Sequence, residues 1–290
     1  MERLSRAVAA ALGVPVAHSA AVGGGDVAQA FRLDLADGRR VFAKTHRDPP
    51  AGFFTTEAAG LRWLRAAAAV PVPEVLAVSD GSDDGAPFLV LEWIDVGSPR
   101  PGTEAELGRA LARLHLAPAG CFGREDRRTT GSRALPNEPC ATWAEHYGTQ
   151  RLAPLARLAS EAGALPEPAV VGLERLAQPG RLAELGGPVE APARLHGDLW
   201  AGNRLIGRHG QSWLIDPAAH GGHREFDLAM MRLFGGFDEA CFAAYQEVHP
   251  LAPGWRDRVA LHQIAPLVVH AIKFGGGYGP AAAAAIARYA

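Results

Sequence analysis

The chain has 290 residues, 48% hydrophobic and 21% charged, with a formal net charge of −2. That suits one large domain or two lobes with an ample core, and the charge balance excludes a strongly basic nucleic-acid or membrane-surface binder. No apolar run approaches the roughly 20 residues of a membrane helix.

The first 20 residues loosely resemble a signal peptide, with Arg3 and Arg6 ahead of an Ala/Val-rich stretch. Gly13 and Pro15 interrupt that stretch and Glu2 sits among the basic residues, so a short amphipathic helix is the better reading. Three cysteines, far apart and in no metal spacing, are expected as reduced thiols of a cytoplasmic protein. Only two of the 29 basic residues are lysines, Lys44 and Lys273. A lysine retained in an arginine-using chain marks a place where a compact ammonium is needed, or a chance survivor.

Ser5 to Leu12 reads as a helix. The glycines at 23–25 and Asp26 precede Gln29 to Leu35, whose period-2 alternation predicts a strand. The glycine run is either a turn that lets backbone N–H groups approach phosphates or a plain flexible turn. Asp37-Gly38 predicts a hairpin, with Arg40 to Thr45 as the returning strand carrying Lys44. Thr55 to Ala69 reads as a helix capped by Thr55 or Thr56, with Glu57 in its first turn. Glu57 alone is a dipole-favoured acid; with Lys44 it resembles the strand-lysine to helix-glutamate pair of kinases, which holds the lysine against the α- and β-phosphates. Strands are expected at Glu74–Val78 and Pro87–Ile94, then a Pro/Gly-rich linker at 97–102. The expected fold is α+β: a small, mainly antiparallel lobe at 1–96 and a larger helical lobe at 97–290.

Thr103 to Glu106 reads as a capping box opening a helix with Leu107, Ala110, Leu111 and Leu114 on its apolar stripe. Thr129 to Pro139 reads as loop. Helices follow at Trp143–Leu158, interrupted by Pro154, and at Glu167–Leu185.

Leu195-His196-Gly197-Asp198-Leu199-Trp200-Ala201-Gly202-Asn203 has too many turn-prone residues for a helix. Arg204–Ile206 and Ser212–Ile215 read as a hairpin that brings Asn203 and Asp216 together. An amide and a carboxylate side by side suit Mg2+, which takes one or two protein carboxylates and completes its shell with water and phosphate oxygens. Asp198, across the loop, is placed to orient or deprotonate an alcohol. His196 reads as a brace, because the loop holds a better-placed carboxylate. Asp227 is expected to accept N–H groups of this loop, or to be an ordinary helix-start acid. Helices are expected at Glu225–Phe234, Asp238–Val248 and Gly254–Phe274, with a tail helix from Pro280.

His196-Gly197-Asp198-Leu199-Trp200-x-Gly202-Asn203 resembles the fructosamine kinases (ketosamine 3-kinases), a branch of the aminoglycoside-phosphotransferase-like kinases. Asp216-Pro217-Ala218, the run from Gly222 through Met230, and Leu233 to Phe237 match a second signature. Phe274-Gly275-Gly276-Gly277-Tyr278 matches a third. Gly24-Gly25-Asp26 and Thr130-Gly131-Ser132 are weaker matches. The resemblance spans about residues 20–280. It implies a bilobal protein-kinase-like fold and transfer of the ATP γ-phosphate to the 3-hydroxyl of a free or protein-linked ketosamine, a deglycation role. It implies ATP contacts from Gly24, Gly25, Lys44, Glu57 and the join at Glu92, Trp93 and Ile94, where backbone groups would read adenine. It implies Asp198 as catalytic residue, Asn203 and Asp216 as Mg2+ ligands, and Trp200, His220 and Phe274 on the substrate side. Two departures stand out. Ala219-His220 replaces a frequent aromatic residue, and a common Asn of the nucleotide loop is replaced by Gln29 or lacking. The other readings are a kinase of the same fold acting on an aminoglycoside, choline or homoserine, and a nucleotide-binding protein without turnover. The mixed 219–225 region, with His220, His223 and Arg224, is expected to disfavour a cationic acceptor.

Overall fold

The Asp37-Gly38 turn closes a hairpin between β2 (Gln29–Leu35) and β3 (Arg40–Thr45), in register from Gln29 opposite Thr45 to Asp34 opposite Arg40. Gly38 supplies the positive φ the turn needs (87°), and the Asp37 carboxylate accepts the Arg39 N–H. With β1 (Val16–Val22), β4 (Val75–Ser79) and β5 (Phe88–Glu92), the hairpin makes an antiparallel sheet ordered β1-β2-β3-β5-β4. The computed structural model describes residues 1–23, 28–81, 85–127, 129–130 and 134–290. The expected phosphate turn at Gly24, Gly25 and Asp26, and Gly131-Ser132, lie outside the described residues.

Alternation sorts the sheet's side chains between two helices. Leu33, Leu35, Val41, Ala43, Phe88 and Val90 pack with Leu4 and Val8 of α1 (Glu2–Leu12), while Leu89 and Leu91 pack with Phe54, Ala58, Leu61 and Leu64 of α2 (Phe53–Arg65). The N-terminal helix ends at Leu12 as the sequence suggests and starts three residues earlier than expected, at Glu2. Gly13 takes the left-handed cap (φ 68°), and the chain after Pro15 is drawn into β1 by pairing with β2. Neither Thr55 nor Thr56 caps α2. The N-cap is Gly52, and the cap comes from 25 residues away: the Asp80 carboxylate accepts the N–H groups of Phe54 (2.9 Å) and Thr55 (3.2 Å).

The helical part begins at α3 (Thr103–Leu116), whose expected stripe of Leu107, Ala110, Leu111 and Leu114 is buried. The capping box does not form. The Thr103 hydroxyl instead donates to the Gly210 carbonyl at 2.7 Å, tying the helix start to a distant hairpin. Short β6 (Thr129–Thr130) and β7 (Leu135–Pro136) pair with each other. Pro154 leaves its mark without breaking the helix. Between α4 (Trp143–His146) and α5 (Ala153–Glu161) the chain widens to a π turn, Tyr147–Leu152, where the Ala153 N–H bonds the Gly148 carbonyl five residues back. That accommodates a ring that has no N–H and would strike the carbonyl four residues before it. The expected Glu167–Leu185 helix is two, α6 (Glu167–Leu176) and α7 (Pro179–Leu185), because Pro179 fits a helix start better than a helix interior. After β8 (Ala193–Leu195), β9 (Arg204–Ile206), β10 (Ser212–Leu214) and β11 (His220–Gly222) come α8 (Glu225–Phe234), α9 (Glu239–Val248), α10 (Trp255–Phe274) and α11 (Tyr278–Ala287). The α3–α9 contact needs Gly108: a Cβ there would stand 2.0 Å from the Cys241 carbonyl oxygen.

The stretch 219–225 lies inside this helical core, which corrects its assignment to the substrate side. His220 is 4% exposed, its ring between His146 (5.5 Å, stacked) and Phe226 (5.8 Å), with Nδ1 2.9 Å from the Ala218 carbonyl. His223 is buried, and Arg224 forks onto Glu190 with two bonds of 2.7 Å. Arg258 likewise forks onto Glu225 at 2.9 and 2.6 Å, beside His223 and His262. His223, Glu225 and His262 have the side chains of a metal site, but the two arginines already balance Glu190 and Glu225. A divalent ion would add uncompensated buried charge, so the group reads as a brace between α8 and α10. The departure Ala219-His220 therefore alters core packing beneath the site.

Two predictions follow from this packing. Gly108→Ala forces α3 from α9 and should destabilise by about 1–3 kcal/mol, read as a lowered thermal midpoint. The second concerns pH. Burial first, then Arg151, pushes His220 down to about 3; burial first, then His262, pushes His223 down to about 4. The unfolded chain protonates these groups near 6.5, so it binds more protons than the folded one between the two values and stability falls as pH drops. His220→Gln should flatten stability against pH by about 1.4 kcal/mol per pH unit between pH 6 and 4 relative to wild type. Parallel slopes in urea denaturation at stepped pH would contradict a neutral buried His220.

Candidate active site

β8 pairs antiparallel with β11, Leu195 opposite His220, so the chain enters and leaves the 196–219 region at one place. Neither strand is evident in the sequence, since each is only three residues long. From there the loop is hung on Asp227, in the first turn of α8. Its fully buried carboxylate accepts the N–H groups of His196 (2.7 Å) and Gly197 (2.9 Å) and lies 3.2 Å from His115 Nε2. His115 Nδ1 is in turn 2.9 Å from the Tyr245 hydroxyl. Gly197 is obligatory, with φ 80° and a Cβ position 2.2 Å from the Ala218 carbonyl oxygen. His196 is fully buried and braces the loop: Nε2 lies 2.9 Å from the Ile215 carbonyl, and Nδ1 accepts the Asp198 N–H at 3.3 Å. Burial lowers its pKa, so it bridges the two segments as a neutral ring. Leu199 then points into the core, fully buried, which leaves Asp198 and Trp200 facing outward.

The expected β9–β10 hairpin forms, with Ser212 opposite Ile206 and Leu214 opposite Arg204, and the Ile215 N–H bonds the Asn203 carbonyl at 3.0 Å just beyond it. Asn203 and the segment of Asp216 therefore lie side by side. The Asn203 amide donates to the Asp198 carbonyl (2.8 Å) and carboxylate (3.0 Å), which turns its own oxygen into the acceptor of the pair. Asp216 has φ 58°, the left-handed region that Asp tolerates better than most residues. Its carboxylate accepts from the Lys44 ammonium of β3, which also donates to Glu57 Oε1 of α2 at 2.8 Å. One ammonium thus joins sheet, helix and hairpin. Lys44 and Glu57 side chains are 13% and 10% exposed and Asp216 is 45% exposed, so the cluster opens on the Asp216 side.

The electrostatics follow from one cation among several carboxylates. Burial works against the Lys44 charge, but Glu57 and Asp216 hold its pKa above the ordinary lysine value. Burial raises Glu57 to about 7, against the pull of Lys44. The surroundings of Asp216 also strip water from it, yet Lys44 holds its carboxyl below the usual range. Asp198 is pushed up to about 7, by burial first and then by the Asp216 charge. Asn203 and Asp216 present hard oxygen donors, in a site whose carboxylates outnumber its cation. Such a set suits a hard divalent ion.

Trp200 is 40% exposed and lies over Gly202, where a Cβ would be 2.3 Å from its ring. It meets Phe234 edge-on at 6.1 Å; Phe234 meets His270 at 4.8 Å, and His270 meets Phe274 at 5.4 Å and Tyr278 at 5.1 Å. Trp200 and the 49% exposed Phe274 are thus two ends of one aromatic run. Phe234 and Tyr278 lie in the sequence signatures without an assigned role, and His270 was not singled out from the sequence. His270 and Phe274 lie one turn apart near the end of α10, and Tyr278 opens α11 beyond the glycines; only the 270/274 spacing is a signal the sequence carries. Lys273 Nζ lies 4.7 Å from the Phe274 ring centroid, and its charge reaches Asp198.

At the join, the Glu92 N–H bonds the Glu74 carbonyl at 3.0 Å and its carboxylate accepts the Glu74 N–H at 2.8 Å. Trp93 Nε1 donates to Asp95 at 3.1 Å, and Ile94 is half-buried. The join is fastened to the β9–β10 hairpin by Gly97 N–H to Ile206 O (2.8 Å) and Arg208 N–H to Asp95 O (2.9 Å).

Comparison with known proteins supports a single family. The fructosamine kinase family model matches residues 1–290. A probable ketoamine kinase of Lactiplantibacillus plantarum is 37% identical over 268 residues, 92% of each chain. The chloroplastic protein-ribulosamine 3-kinase of Arabidopsis thaliana is 32% identical over 276 residues, 92% of this chain and 81% of that one. A crystal structure from Thermobifida fusca, named for the fructosamine-3-kinases, superposes with a TM-score of 0.88 at 39% identity, covering 100% of this chain and 99% of the other. The α+β, bilobal kinase-like architecture, the signatures at 196–203, 216–237 and 274–278, and the match along the whole chain agree: the chain belongs to the fructosamine kinase family.

Proposed function

We propose that the protein transfers the γ-phosphate of ATP to the 3-hydroxyl of ketosamines, the sugar–amine adducts of glycation, whether free or protein-linked. The observation that carries this reading is the convergence of Glu57 and Asp216 on the Lys44 ammonium, next to an Asp198 held by Asn203. Phosphoryl transfer asks for positioning and charge neutralisation more than for covalent chemistry, and these groups supply both.

In this reading residues 1–96 form the nucleotide lobe and 97–290 the catalytic lobe. Lys44, oriented by Glu57, neutralises α/β-phosphate charge. Gly24 and Gly25 cover the phosphates, and the backbone at Glu92, Trp93 and Ile94 meets adenine. Asn203 and Asp216 would hold Mg2+, which neutralises phosphate charge when bound. Asp198, facing the acceptor side, orients the sugar hydroxyl and accepts its proton. Trp200 and Phe274 offer apolar faces to the C–H groups of the sugar and its amine-linked chain. His220 has no part in acceptor contact. With His220, His223 and Arg224 internal, the case against a polycationic acceptor rests on Lys273, whose charge reaches Asp198 on the acceptor side. Cys121, Cys140 and Cys241 form no disulfide, which suits a reducing, cytoplasmic setting, and no described helix is long and apolar enough to cross a membrane.

Asp198→Asn should lower kcat by about 10²–10⁴-fold on a synthetic ribulosamine or fructosamine with the thermal midpoint little changed. Near-wild-type turnover would exclude Asp198 from the chemistry. Lys44→Arg should also be poor, since a broad fork does not fit between Glu57 and Asp216; normal ATP turnover by that variant would refute the compact-ammonium requirement. Trp200→Ala should raise the acceptor KM by about 10-fold while leaving the ATP KM near its wild-type value. Phosphate found at a hydroxyl other than the third would overturn the assigned reaction.

A further inference from the structure

We propose that Asp80 is a positioning residue for phosphoryl transfer, fixing the start of α2 and thereby the place from which Glu57 meets Lys44. The proposal rests on the reading of Lys44 and Glu57 given above.

A helix start leaves several backbone N–H groups without intrahelical partners, and a side chain usually satisfies one of them locally. Here the N-cap position is Gly52, which has no side chain, and its φ of 74° disfavours any replacement that would bring one. Asp80 fills the role from the end of β4. One carboxylate oxygen accepts the N–H groups of Phe54 (2.9 Å) and Thr55 (3.2 Å), and the other accepts the Thr55 hydroxyl at 2.5 Å. The negative charge also sits at the favourable end of the helix dipole.

A local cap would stabilise α2 without fixing it to anything else. A cap borrowed from β4 ties the helix to the sheet that carries Lys44, through β5 and β3. At its far end α2 is held by Arg65 donating to the Val72 carbonyl (2.7 Å) and by Arg194 donating to the Trp63 carbonyl (2.6 Å); between that end and Glu57 its contacts are apolar, with Ala58, Leu61 and Leu64 in the core and Gly60 near Pro217 and Ala219, where a Cβ would be 3.2 Å from the Ala219 Cβ. Apolar packing sets the depth of a helix but is non-directional. Register along the axis needs directional bonds. Glu57 is two residues beyond Thr55, so an axial or rotational shift of the first turn passes directly to its carboxylate, whose bond to Lys44 is 2.8 Å long.

The experiment is a double-mutant cycle on the full chain with ATP and a synthetic ribulosamine. Asp80→Ala should lower kcat/KM for ATP by about 10-fold, with the acceptor KM changed by less than about 2-fold. Asp80→Asn keeps an oxygen acceptor for both N–H groups and a polar partner for Thr55, and should recover most of the loss. Glu57→Gln alone should be impaired, and Asp80→Ala should then add less than about 3-fold in that background, because the group through which Asp80 acts is already disabled. An equal factor in both backgrounds would overturn the proposal and leave Asp80 as an ordinary helix cap. An Asp80→Ala variant with wild-type kcat/KM for ATP would also overturn it. Wild-type activity in Glu57→Gln would overturn the Lys44–Glu57 reading itself, and this proposal with it. Should Asp80→Ala fail to fold, the cycle is run with Thr55→Val, which removes the hydroxyl bond to Asp80 together with a longer one to the Gly52 carbonyl (3.3 Å), leaves the Asp80 bonds to the backbone N–H groups, and should give a smaller, still non-additive loss.

Discussion

A single ammonium, Lys44, holds Glu57 from the helix side and Asp216 from the hairpin side, and the rest of the site depends on that three-way contact. Two carboxylates against one cation leave an excess of negative charge, and Asp198 adds to it when ionised. In water this excess would be trivial. In a partly enclosed site burial, and after it the Asp216 charge, raises the pKa of Asp198 and Glu57 to about 7. The cluster is therefore unsatisfied by its own residues, and its opening lies at Asp216. A hard cation and a polyphosphate bring the charges that would complete it, the cation to the carboxylates and the phosphates to Lys44.

Behind this open cluster lies a closed one. Asp227 is as deeply buried as any residue of the chain, yet its oxygens are met by two backbone N–H groups and His115, so its charge is compensated and its pKa lies below the usual carboxylate range despite burial. The contrast assigns each acid its part. Asp227 is a fixed anchor whose partners are all protein; Asp198 and Asp216 keep some of their bonding capacity for what arrives. Such a division lets a loop of turn-prone residues hold Asp198 without an enclosing helix or strand.

The parts of the site written in local sequence were readable there. The His196–Asn203 loop, the β9–β10 hairpin and the α8 start lie within about thirty residues of one another, and turn chemistry and alternation fix their geometry. Lys44 and Glu57 were readable because they sit on a strand and a helix with clear periodicity. What escaped depends on contacts between distant segments. Asp80 is an unremarkable loop acid until β4 brings it to α2. Thr103 satisfies every rule for a capping box, but the Gly210 carbonyl is a competing partner that only the folded chain supplies. His220 lies in a stretch of polar residues that reads as pocket lining, and arginine–glutamate forks elsewhere in the core make that stretch tolerable inside. Three-residue strands such as β8 and β11 are too short for any pattern to declare them.

The contacts of the join explain why these distant bonds matter to the chemistry. Thr103, Arg100, Gly97 and Asp95 are all fastened to the β9–β10 hairpin or the turn that closes it. Arg204, in β9, is paired with Glu104 of α3. The hairpin that carries Asn203 and Asp216 at its open end is thus gripped at its closed end by the segment linking sheet to helices. A rigid two-stranded element held at one end would transmit a rotation of the sheet to the other, where Asp216 meets Lys44 of that same sheet. The sheet, its helix α2 and the hairpin then form a loop of contacts closed at both ends: Asp80 and Lys44 on one side, the join on the other. Such a closed circuit resists displacement of any one member without its neighbours, which in-line transfer between two bound substrates requires.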